Sequence, residues 1–163
     1  MKKKQIILNK EEINNKINRI AFSIIEDYYQ EKSITLIGFY KNGYTMAQKL
    51  KTIIKKEHSI DIAIHSIKEI GEDQYKIDPP LNEKKIHNTF LVDDVLKSGR
   101  TIIYGIKAIL KHNVPNLKTI ILVNRNHNLF PIGVDYVGLN LSTTLNDHID
   151  VVLEKNQEVV YLT

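Results

Sequence analysis

The chain contains no cysteine. That excludes disulfides and thiol catalysis, and it makes a reducing, cytoplasmic setting the expectation. No apolar run approaches the roughly 18 residues of a membrane helix, so no transmembrane segment is expected. Met-Lys-Lys-Lys opens the chain with positive charge, but Gln5–Asn9 after it is too short for a signal-peptide core. There is no G-x-x-x-x-G-K-[ST], which removes a Walker-type ATPase. The histidines show no metal-ligand spacing, and the aromatics form no stacking platform of the kind single-stranded RNA binders use. No internal repeat or low-complexity tract is present.

What is there fits a globular domain. At 163 residues, with 42% hydrophobic residues, the chain is long enough for one domain, 1–163, with a full α/β core. The net charge of +4 is a modest attraction for phosphate or RNA. The excess of Lys and Arg lies in the first half, while Ile86–Thr163 is near neutral.

The stretch richest in chemistry is Phe90–Thr101, FLVDDVLKSGRT. Phe90-Leu91-Val92 ends a buried strand, and the paired acids Asp93 and Asp94 follow. The small polar turn Lys97-Ser98-Gly99-Arg100-Thr101 leads into a helix whose apolar residues include Ile102, Ile103, Ile106 and Ile109. A helix start offers unpaired N–H groups and the positive end of a dipole, which suits a phosphate. Gly99 lets backbone approach closely, and the Ser98 and Thr101 hydroxyls add donors. The two acids can accept from sugar hydroxyls or hold Mg²⁺ through water. A sugar phosphate satisfies both halves.

Elsewhere, Asn9 and Glu12 form a capping-box pattern before a helical apolar face from Ile13 to Tyr28. Ile34–Phe39 is a buried strand, Tyr40–Gly43 a tight turn, and Met46–Ile54 a second helix. Ile60–His65, Asn88–Val92 and Leu117–Asn124 continue the strands, with Asp135–Leu139, Ile149–Leu153 and Val159–Leu162 as shorter ones. Asn113 and Pro115 are expected to end the helix after the motif. Ser66–Lys85 shows no period and is expected to be a long loop, mobile until ligand orders it. Strands alternating with helices predict a parallel, Rossmann-like sheet flanked by helices. Ligands of such sheets bind beyond the carboxyl ends of the strands, where Tyr40–Gly43, Asp93–Gly99 and Arg125–Pro131 all fall.

Phe90–Thr101 resembles the 5-phosphoribosyl-1-diphosphate (PRPP) motif of type I phosphoribosyltransferases. Gly38–Tyr44 resembles that family's pyrophosphate loop. Leu122–Ile132 with Asp135–Gly138 is similar to the PyrR branch, uracil phosphoribosyltransferases that also regulate pyrimidine operons by binding mRNA. The likeness runs from about Ile6 to Leu162. It implies the type I phosphoribosyltransferase fold with a small hood, and transfer of a phosphoribosyl group from PRPP to a nucleobase with Mg²⁺ as companion. By resemblance Asp93 and Asp94 hold the ribose hydroxyls and are the catalytic pair. The run Val95, Leu96, Lys97, Ser98, Gly99, Arg100, Thr101 holds the ribose phosphate. Lys41, Asn42 and Gly43 take pyrophosphate, and Arg125, Tyr136 and Val137 lie on the base side. In some relatives the peptide before the basic loop residue, here Tyr40–Lys41, is cis. A homodimer or larger homo-oligomer is implied as well.

This chain departs from the PyrR pattern at Asn124, Asn128, Leu139 and Leu145. The exchanges at Asn128, Leu139 and Leu145 each remove a cation, and RNA affinity depends on cations facing phosphates. Ser66-Ile67-Lys68-Glu69 replaces the branch's Tyr-Arg-Asp, leaving Lys68 or Lys76 as cations for departing pyrophosphate. Relatives that use 6-oxopurines carry an Asp at position 97, and Lys97 while charged offers no acceptor. A pyrimidine such as uracil is therefore favoured over a purine. The alternative to a transferase is a nucleotide-sensing RNA-binding regulator with little catalysis.

Overall fold

A computed structural model describes residues 4–163; the basic start Met1–Lys3 lies outside them. The elements run β1 (Gln5–Leu8), α1 (Lys10–Tyr28), β2 (Ser33–Phe39), α2 (Asn42–Glu57), β3 (Asp61–Gly71), β4 (Gln74–Asp78), β5 (Thr89–Leu96), α3 (Arg100–Ile109), β6 (Leu117–Asn124), β7 (Tyr136–Asn140), β8 (Ile149–Glu154) and β9 (Gln157–Leu162). A six-stranded sheet has the order β4-β3-β2-β5-β6-β7, and a three-stranded sheet the order β1-β9-β8. Strands β3, β2, β5, β6 and β7 pair in parallel, and only β4 runs against its neighbour. The small sheet is antiparallel throughout and forms the hood.

Side-chain alternation explains the layers, because successive residues of a strand face opposite ways. Leu36, Phe90, Val92, Ile120 and Leu122 join a core with α1, α2 and the hood residues Leu8, Ile149, Leu153 and Val160. Ile37, Phe39, Leu91 and Ile121 face the other way, onto Ile102, Ala108 and Ile109 of α3 and onto Ile77 of β4. Both faces of the parallel sheet are thus covered, which is why its strands are apolar almost end to end.

Three sequence expectations change. Ser66–Lys85 is not a structureless loop: β3 runs on to Gly71 and turns back as β4, pairing Lys68 with Lys76 and Glu69 with Tyr75. Inter-strand hydrogen bonds hold this hairpin where side-chain burial is slight. Strand β5 does not end before the acids but continues to Leu96, because Val95 and Leu96 still pair with Val123 and Asn124. Helix α3 stops at Ile109, ahead of Asn113 and Pro115. Gln5–Leu8, read only as too short for a signal core, is β1 and pairs with β9.

Two glycines bring α2 down onto the sheet. A Cβ on Gly43 would sit 2.4 Å from the Val92 carbonyl oxygen, and one on Gly38 2.5 Å from the Gly43 carbonyl oxygen. Both obstacles are backbone, so neither can swing aside. Gly43→Ala is therefore expected to lower stability by about 1–3 kcal/mol, the usual cost of overpacking. A thermal melt followed by circular dichroism would show it as a drop of several degrees. An unchanged melt would mean that α2 shifts freely on β5.

Candidate active site

Beyond the carboxyl ends of β2 and β5 two helices begin, and their starts differ from that of α1. Helix α1 has a complete capping box between Asn9 and Glu12, with Glu11 beside it. Helices α2 and α3 have no side-chain cap hydrogen bond and no acid in the first turn. Apart from the Arg100 N–H, their first-turn N–H groups and dipole ends are left for something else. Gly99 supplies the turn into α3 at φ 86, and the Arg100 N–H donates to Ser98 Oγ at 3.3 Å. The Ser98 carbonyl accepts from the N–H groups of Leu129 (2.8 Å) and Phe130 (3.1 Å), which locks the turn to the following loop.

A cavity of about 490 Å³ opens over this turn. Its lining includes every residue from Asp93 to Ile102 on one side and Ile149, Asp150 and Val151 of β8 on the other. The candidate run Asp93, Asp94, Val95, Leu96, Lys97, Ser98, Gly99, Arg100 and Thr101 is therefore gathered on one wall. Hood strand β8 supplies the opposite wall, and the sequence reading did not single it out. Ile149-Asp150-Val151 opens a short strand that alternates apolar and polar residues and looks like any half-buried strand. Only its neighbourhood in space marks it.

The acid pair is held from below. Asp93 Oδ1 accepts from the Asp94 N–H at 2.9 Å, and Asp94 Oδ1 from the Val95 N–H at 2.8 Å. Burial pushes the Asp93 carboxyl well above its ordinary range, and the charge of Asp94 adds to this. The Asp94 N–H and Lys97 oppose the shift without reversing it.

The pyrophosphate-loop candidates part company. The Tyr40–Lys41 peptide is cis, the isomer found in some relatives. Lys41 Nζ turns to Glu154 Oε1 of the hood, 3.3 Å away. Asn42 donates to Asp94 and to the Val151 carbonyl. Gly43 is buried against β5. Lys68 lies 4.3 Å from the ring centroid of Tyr40, beside this loop. Arg100 is ion-paired with Asp73 at the tip of the β3–β4 hairpin, so the hairpin reaches the phosphate-loop end of the site.

Arg125, Tyr136 and Val137, expected on the base side, do not line this cavity. The Arg125 guanidinium is buried and donates to Thr143 Oγ1 (3.1 Å) and to the carbonyls of Thr144 (3.3 Å) and Asp147 (2.7 Å). It pins the segment that leads into β8. Tyr136 opens β7 opposite Ile120, four residues before Asn140 pairs with Asn124, which is about 13 Å from the strand end. Its ring packs on Phe90 and its hydroxyl donates to Asp27 Oδ2 at 2.6 Å. The Val137 carbonyl accepts from Arg19 of α1 at 2.9 Å.

Among the described residues no cluster of three or more His, Cys, Asp or Glu is placed to hold a metal ion. No helix among them is long and apolar enough to cross a membrane.

Comparison with known proteins agrees with this geometry. The "Phosphoribosyl transferase domain" family model matches residues 4–155. A bifunctional protein PyrR of Clostridium novyi is 30% identical over 171 residues, covering 95% of this chain and 93% of its own. A second, from Fusobacterium nucleatum, is 31% identical over 174 residues and covers 98% of each. A hypoxanthine-guanine phosphoribosyltransferase from Bacillus anthracis superposes with a TM-score of 0.76 at 20% identity, over 96% of this chain and 95% of that one, a likeness of fold. The chain belongs to the PRPP-dependent phosphoribosyl transferase family.

Proposed function

We propose that this chain, acting as one domain over 1–163, moves the phosphoribosyl group of PRPP to a ring nitrogen of a pyrimidine such as uracil. The bond from the anomeric carbon to pyrophosphate breaks, a carbon–nitrogen bond forms, and the base gives up its nitrogen proton. The observation that carries the reading is a cavity walled by the buried acid pair and the start of α3, with the start of α2 joined to it through the Asn42–Asp94 hydrogen bond. The α3 start with Ser98, Gly99, Arg100 and Thr101 takes the 5′-phosphate. The α2 start, with the Asn42 and Gly43 N–H groups and the nearby Lys41, takes pyrophosphate. Asp93 and Asp94 hold the ribose hydroxyls and stabilise positive charge growing at the anomeric carbon. The base lies toward Ile149–Val151 of the hood.

Two carboxylates are too few for a closed metal cage, but they suit Mg²⁺. That ion keeps several waters and binds through one or two carboxylates plus substrate phosphates. Asp93 and Asp94 would hold it, and it would offset charge on the departing diphosphate.

A pyrophosphate-release assay with PRPP, Mg²⁺ and a panel of nucleobases tests the reading, with uracil expected to turn over. Turnover with purines alone would overturn the pyrimidine preference, and no turnover with any base would overturn the transferase reading.

The PyrR relatives are named bifunctional, so a regulatory reading stands second. The chain's own residues weigh against it. The Asn128 amide is bonded to the Ile132 carbonyl, and Leu145 is exposed where the PyrR pattern has Arg. We expect no tight, salt-sensitive binding to a pyrimidine-operon leader RNA in a filter-binding titration. Nanomolar binding that falls steeply with salt would overturn that. A homodimer or larger homo-oligomer is the assembly we expect, and sedimentation checks it.

A further inference from the structure

We propose that Asn42 is a positioning residue that couples hood strand β8 to the carboxylate of Asp94. The proposal rests on the transferase reading of the site and deepens it. Asn42 Nδ2 donates one hydrogen to Asp94 Oδ2 at 2.8 Å and the other to the Val151 carbonyl at 2.9 Å. Both partners are acceptors only. The amide can therefore stand only one way round, since a flip would set Oδ1 against two oxygens. Asp94 Oδ1 is already taken by the Val95 N–H. The carboxylate is thus held at one oxygen by its own strand and at the other by Asn42, which is itself held by the hood.

A second tie runs alongside, from Lys41 to Glu154, but its side chains are 59% and 61% exposed. Water and salt screen such a pair to little net value. The part-buried Asn42 bonds are the stiffer connection. A ligand in the cavity touches both walls, so any movement of β8 on that ligand is felt at Asp94 Oδ2. The choice of amide matters. A Lys or Arg at this position would orient Asp94 but also offset its charge. A neutral donor orients the carboxylate and leaves its full negative charge for the anomeric carbon.

One substitution and two readouts test this. Asn42→Ala removes both bonds and is expected to lower kcat by roughly 10–100-fold, the usual loss on deleting an orienting partner, with KM for PRPP and the melting temperature changing far less. A merely structural tie would instead lower the melting temperature or raise KM and leave kcat alone. Wild-type kcat in Asn42→Ala, or a loss confined to KM, overturns the proposal.

Amide hydrogen exchange on the free proteins gives the second readout. In Asn42→Ala, exchange should quicken together in Ile149–Glu154 and Asp93–Leu96, with α1 unchanged. If the wild type turns over no base at all, the transferase reading fails, and exchange alone then decides the coupling. Joint acceleration upholds it, and unchanged exchange overturns it.

Discussion

Asp93→Asn should melt later than the wild-type protein at neutral pH and turn over PRPP about 10²–10³-fold more slowly, the typical loss of one preorganised electrostatic partner. Both effects have one origin. Asp93 is buried beside Asp94, and its carboxyl is pushed well above the ordinary value of 3.8. The folded state therefore prefers the protonated acid, whereas the unfolded chain ionises it freely. Below 3.8 the group is neutral in both states and carries no penalty. As pH rises from there through the raised folded value, stability is lost, and above that value the loss is complete. Asn does not titrate and keeps an oxygen for the Asp94 N–H, so it escapes the loss. The melting difference between variant and wild type should be near zero at about pH 4 and positive at about pH 8. PRPP with Mg²⁺ would bring hydroxyl donors and positive charge to the ionised wild-type pair, so the ligand should raise the wild-type melting temperature more than the variant's. A variant that melts earlier at every pH would make the pair structural. One that keeps full turnover would remove Asp93 from the reaction.

The same pair shows what was legible in the sequence. FLVDDVLKSGRT announced strand, acids, turn and helix because each part has a local signature: an apolar run, like charges with no local structural use, and a glycine before helical spacing. Where β5 ends has no such signature. Val95 and Leu96 continue it only because β6 lies alongside with Val123 and Asn124 to pair. The β3–β4 hairpin was invisible for a similar reason. Lys68, Glu69, Ile70 and Gly71 are all exposed, so no buried face wrote a period into them. Arg125 looked like a ligand-facing cation, yet its five donors suit a cluster of carbonyls equally well, and those of Thr144 and Asp147 come from residues 19 and 22 positions later. Tyr136 opens β7 away from the acid-pair cavity, a placement set by which end of the strand meets the cleft and not by any local pattern. The cavity wall at Ile149–Val151 is set by how the hood folds over α2, which no local pattern encodes.

Gly99→Val should raise the dissociation constant for PRPP by about 10²-fold, while Gly99→Asn should be much milder. Space is not what excludes a side chain here. A Cβ on Gly99 would meet Ile132 Cγ1 at 3.4 Å and Phe130 Cβ at 3.5 Å, close to ordinary contact. Conformation is. The residue sits at φ 86, where a β-branched side chain is a genuine outlier and Asn is among the tolerated types. The left-handed region costs an ordinary L-residue about 1–2 kcal/mol. Relaxing to negative φ would turn the N–H groups of the Ser98–Thr101 turn away from the cavity. It would also strain the bonds from Leu129 and Phe130 to the Ser98 carbonyl. Hydrogen bonds to a charged phosphate are each worth about 1.5–3 kcal/mol, and 1.4 kcal/mol is tenfold in affinity. Losing one or two accounts for the expected change. Calorimetry with PRPP and Mg²⁺ on the three proteins, each checked for folding by its melt, reads the order wild type, Asn, Val. Equal affinity in wild type and a folded Gly99→Val would place the phosphate somewhere other than the start of α3.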